Sequence, residues 1–356
     1  MSTRTSPAPD AARRRPGTIR LPVAGTPVSR RRLVLAGVLA VATLALVVWM
    51  LGLGDYPLGP GEVLQALFGD SGFASTVVRQ WRAPRIAGAV VLGAALAVSG
   101  AVFQSLTRNP LGSPDIIGFS TGAYTGVLVV MTVLPGLGLA QGTASTTVGA
   151  FIGGLLTAAA VYLLAYRNGV QGYRLIIVGI AMTAMLHAVN LFLLLRAQQE
   201  VAMAASIWGA GTLSLLDWPH LLPALVVIAL GVPAVVALVP SLRQLELGDE
   251  AASAHGVRVE PTRLALMVVA VALVAAVTAV AGPIAFVALA APQIAHRVLG
   301  GAGVPVAGSA IVGAFLLLSA DAVAQHVVGD VPVGIVTVVG GGVYLLGLLV
   351  SRVSDR

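Results

Sequence analysis

The feature that most constrains this chain is an apolar run of roughly 20 residues that recurs along almost its whole length, the number a helix needs to cross about 30 Å of hydrocarbon. Such runs lie at 33–53, 86–106, 116–134, 145–165, 175–195, 220–239, 264–281, 284–299, 306–326 and 333–350. A segment in hydrocarbon must satisfy its own backbone hydrogen bonds, so each run is expected to be helical. The expected fold class is therefore all-α, a polytopic bundle of about ten transmembrane helices. Composition agrees: 57% of the residues are hydrophobic and 10% charged, where soluble domains carry about 25% charged residues.

The net charge of +7 does not point to nucleic acid, because the basic residues sit in short loops between apolar runs rather than on one face. All 21 basic residues are Arg. A Walker A phosphate loop requires its Lys, so any ATP hydrolysis must come from a partner. The chain has no Cys, which removes disulfides, thiol nucleophiles and thiolate metal sites from consideration. Residues 1–32 are rich in Arg, Pro, Ser and Thr and are expected to be a disordered basic cytoplasmic tail. Residues 33–352 are then the membrane domain, and 353–356 a short cytoplasmic C-terminus. The first apolar run is too long for a signal-peptide core and is not followed by a small-x-small cleavage site.

Placing Arg30, Arg31 and Arg32 in the cytoplasm puts both termini of a ten-span chain inside, as expected in the cytoplasmic (inner) membrane. Only Arg79, Arg82, Arg85 and Arg196 then lie outside. The cluster Arg79, Arg82 and Arg85 runs against the positive-inside rule and requires a reason of its own. Arg82 and Arg85 share one helical face; they either offer guanidiniums outward to carboxylates or mark the membrane interface. The outer stretch 54–84 contains a short helical pattern, Glu62 to Phe68, behind Pro60-Gly61. In the longest inner loop, 241–263, Asp249-Glu250-Ala251-Ala252-Ser253-Ala254-His255-Gly256 reads as a short helix with acids in its first turn and Gly as its stop.

Thr183, His187 and Asn190 fall on one stripe of the fifth run, facing either a water-filled path or neighbouring helices. Asp321 is the one carboxylate drawn clearly into a run, four residues before Gln325, and is expected to be satisfied by Gln325 or by a helix terminus. The five His include no i, i+4 pair, so no fixed metal is expected.

Several separated segments together resemble the iron-siderophore permeases of ABC importers, the FecCD type. They are Trp81-Arg82-Ala83-Pro84-Arg85, Gly93 to Gly100, Arg108-Asn109-Pro110-Leu111 running to Gly118, Gly248 to Val257, Ala281 to Phe286, Ala291 to Arg297 and Pro332 to Thr337. Phe103 to Leu106, Gly112 to Asp115 and Tyr173 to Ile177 look most like the ferric-enterobactin branch, whose subunits pair with a second, non-identical permease.

The resemblance implies a type II importer permease bundle. It implies docking of an external substrate-binding protein at Arg82 and Arg85, although a further outer basic position of the family is Gln325 here. It makes Gly248, Asp249, Glu250, Ala251, Ala252, Ser253, His255 and Gly256 the element that couples to an ATPase. It places a cytoplasmic gate at Asn109, Leu111, Gly172 and Tyr173, which as bare sequence are only turns and a helix start. The implied partners are a second permease, two ATPase subunits that bind the ATP and Mg, and the binding protein; this chain itself carries no cofactor and no catalytic site. The implied cargo is a ferric siderophore of the catecholate kind, with cobalamin or haem as alternatives. A secondary transporter is the rival class, disfavoured by the coupling pattern and by the scarcity of acids within the runs.

Overall fold

The structure, a computed structural model, describes residues 18–20, 27–69, 71–137, 142–166, 172–300 and 303–354. Of the expected tail, 1–17 and 21–26 lie outside these residues; β1 (Thr18–Arg20) and β2 (Pro27–Ser29) pair antiparallel, Ile19 opposite Val28. Among the described residues beyond them the elements are helices: α1 (Arg30–Gly52), α2 (Pro60–Phe68), α3 (Phe73–Thr76), a π-helical turn at Val77–Arg82, α4 (Ala83–Thr107), α5 (Phe119–Thr132), α6 (Thr143–Ala165), α7 (Gly172–Arg196), α8 (Gln199–Gly209), α9 (Trp218–Glu246), α10 (Asp249–Ala254), α11 (Val259–Ala281), α12 (Val287–Leu299), α13 (Val306–His326) and α14 (Val333–Ser354). Single 3₁₀ turns at Pro114–Ile117 and Leu134–Leu137 flank α5.

Local sequence explains the boundaries. Pro60 occupies the first position of α2, where its missing N–H costs nothing, and the Glu62 carboxylate accepts the Gly59 N–H at 2.7 Å. Asp217 caps α9 by accepting the His220 N–H at 2.8 Å. Pro223, Pro233 and Pro240 lie inside α9, which a membrane helix tolerates when neighbours re-satisfy the freed carbonyls.

All ten expected spans fall on helices, and among the described residues eight helical stretches are long and apolar enough to cross a membrane. The eighth span departs from expectation: α12 has only 13 residues, about 20 Å of helix, and Gly282–Phe286 before it is not helical. Gly282 adopts φ +71° and Phe286 φ +68°, left-handed values that end one helix and start the next at an angle. A further short helix, α8, occupies a stretch where no span was expected.

The centre of the bundle is α4, packed against α9, α11, α12 and α13. Leu92, Leu96 and Phe103 are buried along it. Close backbone approach is written into its small residues: a Cβ on Gly100 would collide with the Ala288 carbonyl of α12. By contrast α7 exposes Ile180, Met185, Leu191, Phe192 and Leu195, apolar surface of a kind that lipid or another membrane helix covers.

Candidate functional site

Three places in the fold carry the residues singled out by sequence. At one end of the bundle, the three arginines that break the charge pattern are bound within the chain. Arg79 donates from Nε to the Ala66 carbonyl at 2.7 Å and from Nη2 to that of Gly69. Arg82 donates to the carbonyls of Leu51 at 2.8 Å and Tyr56 at 2.7 Å. Ala66 and Leu51 lie in the last turns of α2 and α1, whose carbonyls have no helical partner. Arg85 reaches Asp321 from Nε and Nη2 at 2.9–3.2 Å, and its Nη1 stands 3.7 Å from Asp330. Gln325 donates to the Asp321 carboxylate at 2.7 Å, as its spacing suggested; the Arg85 partner was not anticipated. Arg85 therefore points along the bundle into a buried pair rather than freely outward.

At the opposite end, α10 is a six-residue helix between two left-handed glycines, Gly248 at φ +118° and Gly256 at φ +82°. The Asp249 carboxylate accepts from Arg263 Nη2 at 2.8 and 2.9 Å and from Arg108 Nη2 at 2.7 Å. Burial opposes ionisation of Asp249, but the hydrogen bonds and positive charge of Arg263 and Arg108 outweigh it and hold the carboxyl below the usual carboxylate range. Arg108 also donates to the Leu245 carbonyl, so the ends of α4 and α9, the start of α11 and α10 are tied at one point. Ala252 is fully buried against its own chain. The face left exposed is Glu250, Ser253, Ala254, His255 and Gly256, with Ala251 at its edge.

Beside it, Asn109 Oδ1 accepts the Leu111 N–H at 2.9 Å. A Cβ on Gly172 would stand 3.1 Å from Thr107 Cα. The start of α7 thus meets the end of α4 at Thr107, two residues before Asn109, and Leu111 and Tyr173 are both exposed.

Between these ends lies a cleft of about 530 Å³ walled by α5, α7, the Gly209–Ala210 bend, the Pro283–Ala285 break and the start of α14. Thr183 and His187 line it; Asn190 does not, and instead donates to the Thr121 carbonyl at 3.4 Å, linking α7 to α5. Asp115, which accepts from Ser120 at 2.6 Å, and Tyr124 are wall residues that helical periodicity did not select. Three helix breaks meet at the cleft: the Thr212 N–H bonds the Ala281 carbonyl at 2.8 Å and the Gly334 N–H that of Gly211 at 3.0 Å. Non-helical backbone at this depth is tolerated where it is buried or lines a cavity, and broken helices mark binding sites in transporters. The sequence signals were Gly211 and Gly282-Pro283. Among the described residues no cluster of His, Cys, Asp and Glu is placed to hold a metal ion.

A many-helix bundle of apolar, membrane-length helices with a polar-dotted cleft at broken helices defines a multi-pass membrane transport protein. The chain belongs to the FecCD transport family, whose model matches residues 42–351. It is 47% identical to the ferric enterobactin transport system permease protein FepG of Escherichia coli, over 91% of this chain and 98% of that one. It is 34% identical to the Fe(3+)-citrate import system permease protein YfmE of Bacillus subtilis, over 90% and 96%. Among solved structures, an inward-facing conformation of a metal-chelate type ABC transporter superposes with TM-score 0.76 at 28% identity, covering 90% of this chain and 99% of that one.

Proposed function

We propose that this chain is the membrane permease of an ATP-driven importer that moves a ferric siderophore from an external binding protein to the cytoplasm. The observation that carries the reading is the near full-length 47% identity to a ferric enterobactin permease, in a chain whose helix breaks enclose a cleft. In this reading the chain sits in the cytoplasmic membrane with both termini inside. The Arg82 end faces out and receives the binding protein, and α10 faces in.

The permease pairs with a second, non-identical permease and with two ATPase subunits, which bind the nucleotide and magnesium. The exposed face of α10, Glu250, Ser253, His255 and Gly256, inserts into the ATPase. Gly248 sets its entry, and Asp249 and Ala252 hold it to the bundle. Because Arg108 joins α10 to the end of α4 next to Asn109, displacement of α10 by the ATPase reaches the gate of Asn109, Leu111, Gly172 and Tyr173 through fixed ion pairs. The cargo passes Thr183 and His187; no bond is made or broken in it, and transport is a shift between outward- and inward-open states.

The test is uptake of ferric chelates into vesicles holding this permease, its genomic neighbour permease and the ATPase. The reading expects iron uptake only with ATP on the ATPase side and loaded binding protein on the other. Uptake driven by a proton gradient without ATP would overturn it; uptake of cobalamin or haem in place of ferric chelates would keep the machine and replace the cargo.

A further inference from the structure

We propose that Tyr124, held in place by Trp208 and Gly209, is an aryl-recognising wall of the cleft, so that the passage favours ferric chelates with aromatic rings, the catecholate class. The inference rests on the importer reading above and adds to it a residue that selects the cargo.

Tyr124 is the one benzenoid ring among the described residues lining the cleft. Its ring lies nearly parallel to that of Trp208, 13° apart with centroids at 6.1 Å. Gly209 leaves the room it occupies, since a Cβ there would stand 2.8 Å from the Tyr124 ring. A ring fixed by a stacked neighbour and a glycine notch loses little freedom when another ring meets it. The cleft wall also carries Ile335, Val338 and Val339 of α14, apolar groups compatible with a flat hydrocarbon face.

Charge narrows the cargo further. Among the described residues no Arg lines the cleft, and the one acid there, Asp115, is hydrogen-bonded to Ser120. Apart from the His187 imidazole, no basic side chain among the described lining residues meets the negative charge of a ferric chelate, so recognition falls chiefly on the chelate's rim. In a tris-catecholate complex the oxygens turn inward to iron and the ring carbons form that rim, whereas a hydroxamate complex presents aliphatic linkers. Contact between aromatic rings is modest and geometry-dependent, which suits a passage that must release what it admits.

The experiment uses the complete transporter in proteoliposomes, with binding protein loaded with a ferric tris-catecholate. Iron uptake is normalised to the ATP hydrolysis that loaded binding protein stimulates. Tyr124→Leu removes the ring and keeps bulk, Tyr124→Phe keeps the ring, and Trp208→Leu removes its support. The proposal expects normalised uptake to fall roughly three- to ten-fold in Tyr124→Leu and Trp208→Leu and to stay within about two-fold in Tyr124→Phe, the scale of one aromatic contact. Should Tyr124→Leu not assemble, Trp208→Leu decides. Unchanged uptake in the leucine variants, or an equal loss in Tyr124→Phe, overturns the aryl wall while leaving the importer reading intact. A wild-type complex that imports no ferric chelate overturns the importer reading and the aryl wall with it.

Discussion

Arg85 and Asp321 illustrate what a single charge means inside an apolar bundle. Asp321 has no exposed surface and Arg85 little, so removing either partner strands the other in a medium that cannot solvate it. Breaking such a pair costs about 3–5 kcal/mol, whereas replacing both members by apolar groups is often neutral. Asp321→Leu is therefore expected to lower the thermal midpoint of the purified protein strongly, and Arg85→Leu with Asp321→Leu to recover most of the loss. Equal destabilisation in the double variant would contradict the pairing. Asp249 behaves differently, being half-exposed. Its carboxyl is held below the ordinary value, so its anchoring is present above the unfolded value of about 4 and is lost as pH falls through the lowered one. The chain has no Cys, so a spin label on Ser253→Cys reports this alone. The label is expected to stay ordered from neutral pH to about pH 4 and to gain mobility only below it. Mobility gained between pH 7 and 5 would show that Asp249 does not hold the helix.

The elements divide into those legible in sequence and those that were not, for physical reasons. Helices in hydrocarbon announce themselves by length and apolarity, and α2 and α10 by their Pro, Glu, Asp and Gly boundaries, so both were read to within two residues at each end. Missed were α8 and the break before α12, because an 11-residue helix and an interrupted one fall below the length that marks a span. Thr183 and His187 were found by helical periodicity, while Asp115 of the Pro114–Ile117 turn and Tyr124 of α5 enter the same wall by tertiary packing, to which periodicity is blind. The pairing of Arg85 with Asp321 spans most of the chain, and only its rarity as an intramembrane charge hinted at it. Packing gives two tests at this scale. Gly100→Ala pushes a methyl into the Ala288 carbonyl and is expected to destabilise the bundle by about 1–3 kcal/mol, as overpacking does; an unchanged thermal midpoint would show that α4 and α12 can part freely. On α10, Ala252→Arg forces a charge into the chain's own interior and should impair folding. Ser253→Arg lies on the exposed face and should leave folding intact while abolishing ATPase co-purification. Normal co-purification of Ser253→Arg would remove α10 as the coupling element.

Across the whole molecule, α4 joins the arginines of one end to the ion-pair node at the other and packs on α12, the helix that follows the Pro283–Ala285 break in the cleft wall. Arg85 lies at its start, Gly100 fixes α12 in its middle, and Arg108 at its end holds α10. A central helix tied to α10 and packed on α12 gives the proposed coupling a route from the α10 end towards the cleft, where broken helices rather than whole ones form the wall. The proposed passage is this cleft, open to one side at a time. Ile335 lines it and is well exposed, so Ile335→Cys, in a complex otherwise free of cysteine, can be titrated with a membrane-impermeant thiol reagent added to either side of proteoliposomes. The account predicts reaction from one side without nucleotide, from the opposite side with ATP trapped, and protection by bound cargo. Reaction from the same side in both states, or from neither, would contradict it.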